Sequence, residues 1–329
     1  MLLLVCAIVV PAKKHKRILL CLALLLLIYD LISFGWQYNT MSPDGMEYPS
    51  TPSINFLQKD ASKFRIMTFG NFMNNTFTPF GIEDIGGYNS FYPKRYGNYL
   101  HLSQNGPNAP LPEESSRWIH FYNFGSPLLD IINTKYILVP PGTAMNLKAL
   151  RLVYSGEIDI YENQNVFHRI FFVPQYVYAR NSDEAYTMLG KFKRKDFRNK
   201  VIIESTPSEK FTEYNIKPYK GAKANIKILS YELNGIEFEV NADSSGFVVI
   251  SDNYHPGWRA TIDGEPVKIF RANYIMRALS VPSGAHHIVL KFRPGIILTG
   301  LTITIISWIV VLALISAYLV KSSFSLRLN

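Results

Sequence analysis

The sequence predicts a membrane-anchored chain: a mixed α+β ectodomain that ends in an antiparallel β-sandwich, flanked by two transmembrane α-helices. Three observations predict it. Two apolar runs, Ile18–Trp36 and Gly295–Val320, are each long enough to cross a bilayer, which takes about 20 helical residues. From Lys223 onward, turn residues recur at short spacing between strand-like runs, the pattern of a sandwich. Between Gln37 and Ala222, short helical and strand-like stretches are mixed, with no internal repeat and no low-complexity linker.

Met1–Val10 is apolar but too short to span, so residues 1–11 read as the stub of a transmembrane helix, or else as a frayed N-terminal helix. Residues 12–17 form a basic loop. By the tendency of basic loops to stay inside, it is cytoplasmic. The span 18–36 follows, with Trp36 and Tyr38 suited to the outer interface. No small-residue cleavage site comes after it, which favours an uncleaved anchor over a signal peptide. Asp30 interrupts the span. It is either a residue facing a helix bundle or a carboxylate close enough to the outer surface to stay wet.

Residues 37–222 then form an extracytoplasmic α+β region. Phe64–Thr68 reads as a strand, and a short helix is expected around Arg95–Leu100 after the Gly- and aromatic-rich stretch that opens at Gly81. Leu128–Val139 reads as a helical turn followed by a strand from Lys135. Leu152–Tyr161 and Val166–Val173 read as two strands around an Asn163-Gln164-Asn165 turn. Ser182 is placed to cap a helix running to about Phe192, with Asp183 and Glu184 in its first turn. The basic run Lys191–Lys200 is either a solvated helix end or a contact for anionic headgroups or an anionic polymer. Asn74-Asn75-Thr76 matches a glycosylation acceptor pattern, which is common by chance.

Residues 223–294 carry the sandwich, with seven strands expected at about 224–233, 236–242, 246–252, 258–262, 266–270, 275–281 and 285–292. Phe247–Ile250 is wholly apolar, as for a strand buried on both faces. Trp258, Ala260 and Ile262 alternate with Arg259 and Thr261. Asp263-Gly264 and Asn234-Gly235 are hairpin signals, because a primed turn needs positive φ. The span 295–320 bears Gly300, Thr304 and Ser307 on one face, where another helix could approach closely. Lys321 and Arg327 place the tail 321–329 in the cytoplasm.

The 329 residues carry a formal charge of +9. Six of the 34 basic residues and one of the 25 acidic ones lie in the spans, their loop and the tail, which leaves 28 against 24, about +4, in the middle region. The basic excess therefore reflects topology, and no nucleic-acid partner is expected. Cys6 and Cys21 both lie in apolar segments, so the ectodomain has no disulfide. No phosphate loop, zinc motif or nucleophile elbow is present, and no cofactor or metal is expected. His286 and His287 are adjacent on a strand and point to opposite faces, so they are poor co-ligands. Tyr254, His255 and Trp258 sit at one turn with Asn273 close in sequence. They form either a sugar-contacting cluster or, for Trp258, a core anchor. Tyr88, Asn89, Lys94 and Arg95 complete the candidate substrate-binding residues.

Several stretches resemble the C-terminal part of the bacterial YfhO family of multi-pass membrane proteins: DLISFGWQYN from Asp30, YPSTP from Tyr48, GGYNSFYPKRYGNYL from Gly86, LLDIINTKYILV from Leu128, and NYHPGWRATIDGEPVKIFRANYIMRALSVPSGAHHIVLKFRP from Asn253. That family is similar to GT-C glycosyltransferases. The resemblance implies transfer of a sugar from a polyprenyl-phosphate carrier to an acceptor outside the cytoplasmic membrane, with teichoic-acid-like polymers or lipids as candidates. Such enzymes place the catalytic carboxylate in an early loop of a many-helix bundle, which this sequence does not contain, so no catalytic residue carries over. The expectation is a C-terminal fragment or truncated member of such a transferase, lodged in the bilayer and partnered by further transmembrane helices. A non-catalytic anchored binding or structural protein is the alternative.

Overall fold

The apolar run behind the sandwich expectation becomes strand β11 (Gly246–Ile250), and its side chains do divide between two cores. Phe247 and Val249 enter one buried cluster, while Val248 and Ile250 enter another. The computed structural model describes residues 13–38, 48–70, 75–87, 93–112, 120–204 and 221–325. Residues 1–11 and the last part of the tail, 326–329, lie outside the described residues, as do Tyr88 and Asn89.

Helix α1 (Lys13–Tyr38) is described by itself. Its Ile18–Trp36 stretch is long and apolar enough to cross a membrane. Lys13–Arg17, expected as a loop, are helical, in keeping with the good helix propensity of Lys and Arg.

The second unit begins with α2 (Pro52–Gln58), β1 (Arg65–Thr68), β2 (Glu83–Asp84), α3 (Lys94–Asn105), α4 (Pro127–Ile131), β3 (Thr134–Val139), β4 (Leu150–Ser155) and β5 (Asp159–Asn163). Its strands form a five-stranded sheet in the order β2-β1-β3-β5-β4. β1 runs parallel to both β2 and β3. The hairpin of β4 and β5 turns at Gly156–Ile158, inside the span read as one strand, 152–161. The Asn163–Asn165 turn instead leads out of this sheet.

Next come β6 (Ile170–Val173), β7 (Gln175–Ala179), α5 (Ser182–Lys191), α6 (Arg194–Phe197) and β8 (Lys200–Glu204). Asn181, not Ser182, caps α5: its Oδ1 accepts from the backbone N–H of Asp183 and of Glu184. α5 connects the parallel pair β7 and β8. After β9 (Ala224–Glu232), β10 (Gly235–Ala242) and β11 follow β12 (Trp258–Ile262), β13 (Glu265–Val267), β14 (Phe270–Ala272), β15 (Met276–Val281) and β16 (Gly284–Phe292).

These strands make two more sheets, ordered β6-β11-β15-β14-β8-β7 and β13-β12-β16-β10-β9. They face each other across a core of Val248, Leu279 and Val281 against Phe238, Ala260 and Ile288. The sandwich thus recruits β6, β7 and β8 from before residue 222. The strand expected at 266–270 breaks at Lys268-Ile269, and its halves enter different sheets. The opposite face of the six-stranded sheet packs on α3, α4, α5 and the five-stranded sheet through Phe171, Phe247, Tyr99, Leu129, Leu189 and Val139.

Asp263-Gly264 forms the expected primed turn, with φ of +53° and +90°. Asn234-Gly235 does not. Glu232 pairs with Gly235, so the turn residues are Leu233 and Asn234, and neither has positive φ. Helix α7 (Gly295–Ser325) follows β16 directly, and its Gly295–Ala317 stretch is long and apolar enough to cross a membrane. Thr299, Thr302, Thr304 and Ser307 donate their hydroxyls to carbonyls four residues back, so these polar groups are satisfied within the helix.

Candidate functional site

The loop Ser251–Gly257, between β11 and β12, organises the site. Asp252 lies at its start and gathers side chains from all three sheets. Asp252 Oδ1 accepts from Arg65 Nη2 at 2.7 Å and from Arg169 Nη1 at 3.1 Å. Asp252 Oδ2 accepts from Arg277 Nη2 at 2.5 Å and from the Tyr231 hydroxyl. Glu83 also accepts from Arg65 and Arg169. Burial opposes ionisation of Asp252, but the guanidiniums of Arg65, Arg277 and Arg169 and the Tyr231 hydrogen bond outweigh it and hold the carboxyl well below the usual carboxylate range. Burial pushes the Tyr231 hydroxyl up, and Asp252 adds to this, so Tyr231 stays protonated as donor. Three guanidiniums against two carboxylates leave this network one positive charge in excess.

Sequence reading missed this network. One signal was available: Arg277 sits among Met276, Ala278 and Leu279, and Arg169 precedes the apolar run Ile170–Val173. A charge inside an apolar strand needs a buried partner. The identity of that partner is a long-range matter that spacing does not encode.

Trp258 lies over Arg277, whose guanidinium carbon is 4.1 Å from the centre of the indole ring. Trp258 also packs on Phe292 and on the sandwich core, and is half-buried. His255 is exposed with its ring against Phe292, and its Nδ1 accepts from Gly257 N–H at 2.9 Å. The Gly257 carbonyl accepts from Arg293 N–H at 2.8 Å. The His255–Trp258 turn is thus fixed against the residues that lead into α7.

A second cluster joins Arg95, Asn273 and Tyr254. Arg95, in the first turn of α3, donates to Glu204 Oε1 at 2.6 Å and to the Tyr274 carbonyl at 3.0 Å, and lies over the Tyr274 ring. Asn98 donates to the Tyr274 hydroxyl. Arg271, opposite Glu204 in the sheet, stacks 4.3 Å from the centre of the Tyr254 ring. Burial pushes the Arg271 guanidinium down from its ordinary value, and the nearby Arg95 charge adds to this. Asn273 is buried: its Oδ1 accepts from Ile202 N–H, and its own N–H donates to the Ile202 carbonyl. Asn273 and Tyr274 both have positive φ, +43° and +72°, in the three-residue turn between β14 and β15, which contains no glycine. Lys94 is exposed at the start of α3. Asp30 is exposed on α1.

His286 and His287 take separate partners. His286 Nδ1 lies 2.7 Å from Asp263 Oδ2, and His287 Nε2 lies 2.8 Å from Glu237 Oε1. The basic run after α5 borders an open cleft of about 640 Å³, with Leu102 and Leu189 on its floor and Lys191, Lys193 and Arg194 at its edge. Arg194 is held there by Asp130 at 2.5 Å and by the Gly125 carbonyl.

No curated protein and no solved structure matches the chain. Residues 204–304 match the family model described as bacterial membrane protein YfhO, a stretch that runs from Glu204 through the Asp252 loop into the first turns of α7. That match, together with two helices apolar enough to cross a membrane, supports membership of the chain in the bacterial YfhO family of membrane proteins.

Proposed function

We propose that the chain is the outward-facing, membrane-anchored portion of a glycosyltransferase-like membrane protein, and that its ectodomain positions a polyprenyl-phosphate-sugar donor beside the bilayer. One observation carries this reading. Arg271 and Arg95 lie together with Glu204 between them as the counter-charge among the described residues, and Arg271 rests on Tyr254, the neighbour of His255, which packs on Phe292 at the root of α7. Two guanidiniums close to the membrane surface suit a phosphate headgroup, which they bind through charge-assisted hydrogen bonds. The aromatic faces of Tyr254 and Trp258 suit a sugar ring, with His255 at the exposed edge. The basic-edged cleft suits an anionic envelope acceptor such as a teichoic-acid-like polymer.

The orientation is part of the proposal. Basic residues precede the first span and follow the second, which favours both ends in the cytoplasm and residues 37–294 outside. Catalysis then falls to a carboxylate on further membrane helices, for which the Gly300, Thr304 and Ser307 face of α7 offers a close-packing surface.

The test uses the chain in nanodiscs containing a polyprenyl monophosphate, with sugar transfer followed in cells. Arg271→Ala and Tyr254→Ala should each weaken carrier binding at least tenfold and depress transfer, while Ser283→Ala, at the far end of the sandwich, changes neither. Carrier binding unchanged by Arg271→Ala overturns the donor site. Carrier binding lost with transfer intact favours the non-catalytic reading.

A further inference from the structure

The geometry points to a second membrane contact in this chain: the β9–β10 hairpin tip rests on the bilayer beside α7 and inserts Leu233 at the boundary between headgroups and acyl chains. Leu233 is 94% exposed at the tip of a two-residue turn, a position where Gly, Asn, Asp or Ser is usual. No side chain of the described residues covers it. The tip is fixed relative to the last span, because the Asn234 carbonyl accepts from Phe292 N–H at 2.9 Å and Gly235 pairs with Lys291. The first residues of α7 follow at once, with Ile296 81% exposed. Leu233 is therefore held at the level where α7 begins.

The surroundings fit a lipid surface. Arg259, Lys291 and Arg293 are all exposed around the tip and the HPGW turn, with His255 and Pro256 beside them. Arg259 lies opposite Lys291 in the sheet, so these charges share one end of it. Among the described residues, Glu232 is the acidic residue at the same end. A basic rim around one protruding leucine is the arrangement that anchors a protein at an anionic membrane interface. Continuity with an apolar helix favours lipid over a protein partner, since any occupant of this end must share the space with the bilayer that receives α7. The inference rests on α7 crossing the membrane.

The experiment is depth-dependent fluorescence quenching of the full chain in vesicles of phosphatidylcholine and phosphatidylglycerol. In a Cys6→Ser, Cys21→Ser background, single cysteines are placed by Leu233→Cys, Ser283→Cys and Ile306→Cys and labelled with an environment-sensitive dye. The expected result is quenching of the 233 label by shallow spin-labelled lipid with a blue-shifted emission, quenching of the 306 label by deep spin-labelled lipid, and quenching of the 283 label by aqueous iodide alone. If the 306 label is quenched by lipid and the 233 label behaves like the 283 label, the hairpin contact is overturned while the span stands. A 233 label shielded from iodide but untouched by lipid quenchers identifies a protein contact and also overturns it. Loss of lipid quenching at 306 removes the span and the inference together.

Discussion

Arg277 lies 4.1 Å beneath the centre of the Trp258 indole ring, and two of its nitrogens, Nε and Nη1, are buried without a hydrogen-bond partner among the described residues. The third, Nη2, is bound to Asp252. An aromatic face is a weak substitute for a hydrogen-bond acceptor, but it is worth about 2 kcal/mol or more when water is excluded. Trp258→Ala should therefore remove both core contact and cation–π support and lower stability by about 3–5 kcal/mol. Trp258→Phe, which keeps a π face, should lose clearly less. Chemical denaturation of the reconstituted chain measures both, and equal losses would show that the ring face does not support Arg277.

Asp252→Asn should cost about 3 kcal/mol or more, because it leaves three arginines with one buried counter-charge fewer. The acid limb tests the same point. The Asp252 carboxyl is held below its unfolded value, so its stabilisation is complete above about pH 4 and is lost as pH falls further. Asp130 has the opposite sign: burial raises it, against Asn163 and Arg194, so its contribution is present below the ordinary carboxylate value and fades as pH rises from there through the raised one. Thermal unfolding of Asp252→Asn between about pH 2.5 and pH 5 should show a flatter acid limb than the parent. An unchanged limb assigns acid loss to other carboxylates.

The Asn273-Tyr274 turn separates strain from bonding. Asn273→Ala and Asn273→Gly both delete the acceptor for Ile202 N–H, but glycine tolerates φ of +43° and alanine does not. The alanine variant should be less stable than the glycine variant by about 1 kcal/mol. Urea midpoints compare them. Equal midpoints would mean that the turn relaxes without penalty.

Gly257→Ala should displace the HPGW turn. A Cβ there would come within 2.9 Å of Phe292 Cε2 and of Pro294 Cβ, and within 3.0 Å of His255 Nδ1. Its φ is not positive, so the effect is one of contact and not of backbone strain. Protection of the Arg293 amide from hydrogen exchange should fall while that of Val249 is kept. Retained protection at Arg293 shows that the turn absorbs the methyl group.

The sequence exposes what depends on neighbours along the chain. Two apolar runs, the doubly buried β11 and the Asp263-Gly264 turn are all local signals, and each is found where expected. Asn234-Gly235 signalled a hairpin that does form, but its turn lies one residue earlier, at Leu233-Asn234, without a positive φ. The pairing of β6 with β11 and the parallel partners of β1 and β8 are long-range choices without a local signature. The candidate residues Tyr254, His255 and Trp258 were legible as a motif. The arginine–carboxylate network beside them, which reaches Trp258 through Arg277, was not, since Arg65, Arg169, Asp252 and Arg277 meet only after three sheets assemble.

Strand β16 is bonded on both sides, to β10 and to β12, and runs through Arg293 and Pro294 straight into α7 without a linker. The span therefore has no swivel at its junction with the sandwich. In a bilayer, a tilt or roll of α7 would carry the sheet of β13, β12, β16, β10 and β9 with it as one lever, and through the bonded Gly257 turn it would reach the Trp258–Arg277 contact, so that lateral pressure on the helix would act as a torque on the sandwich.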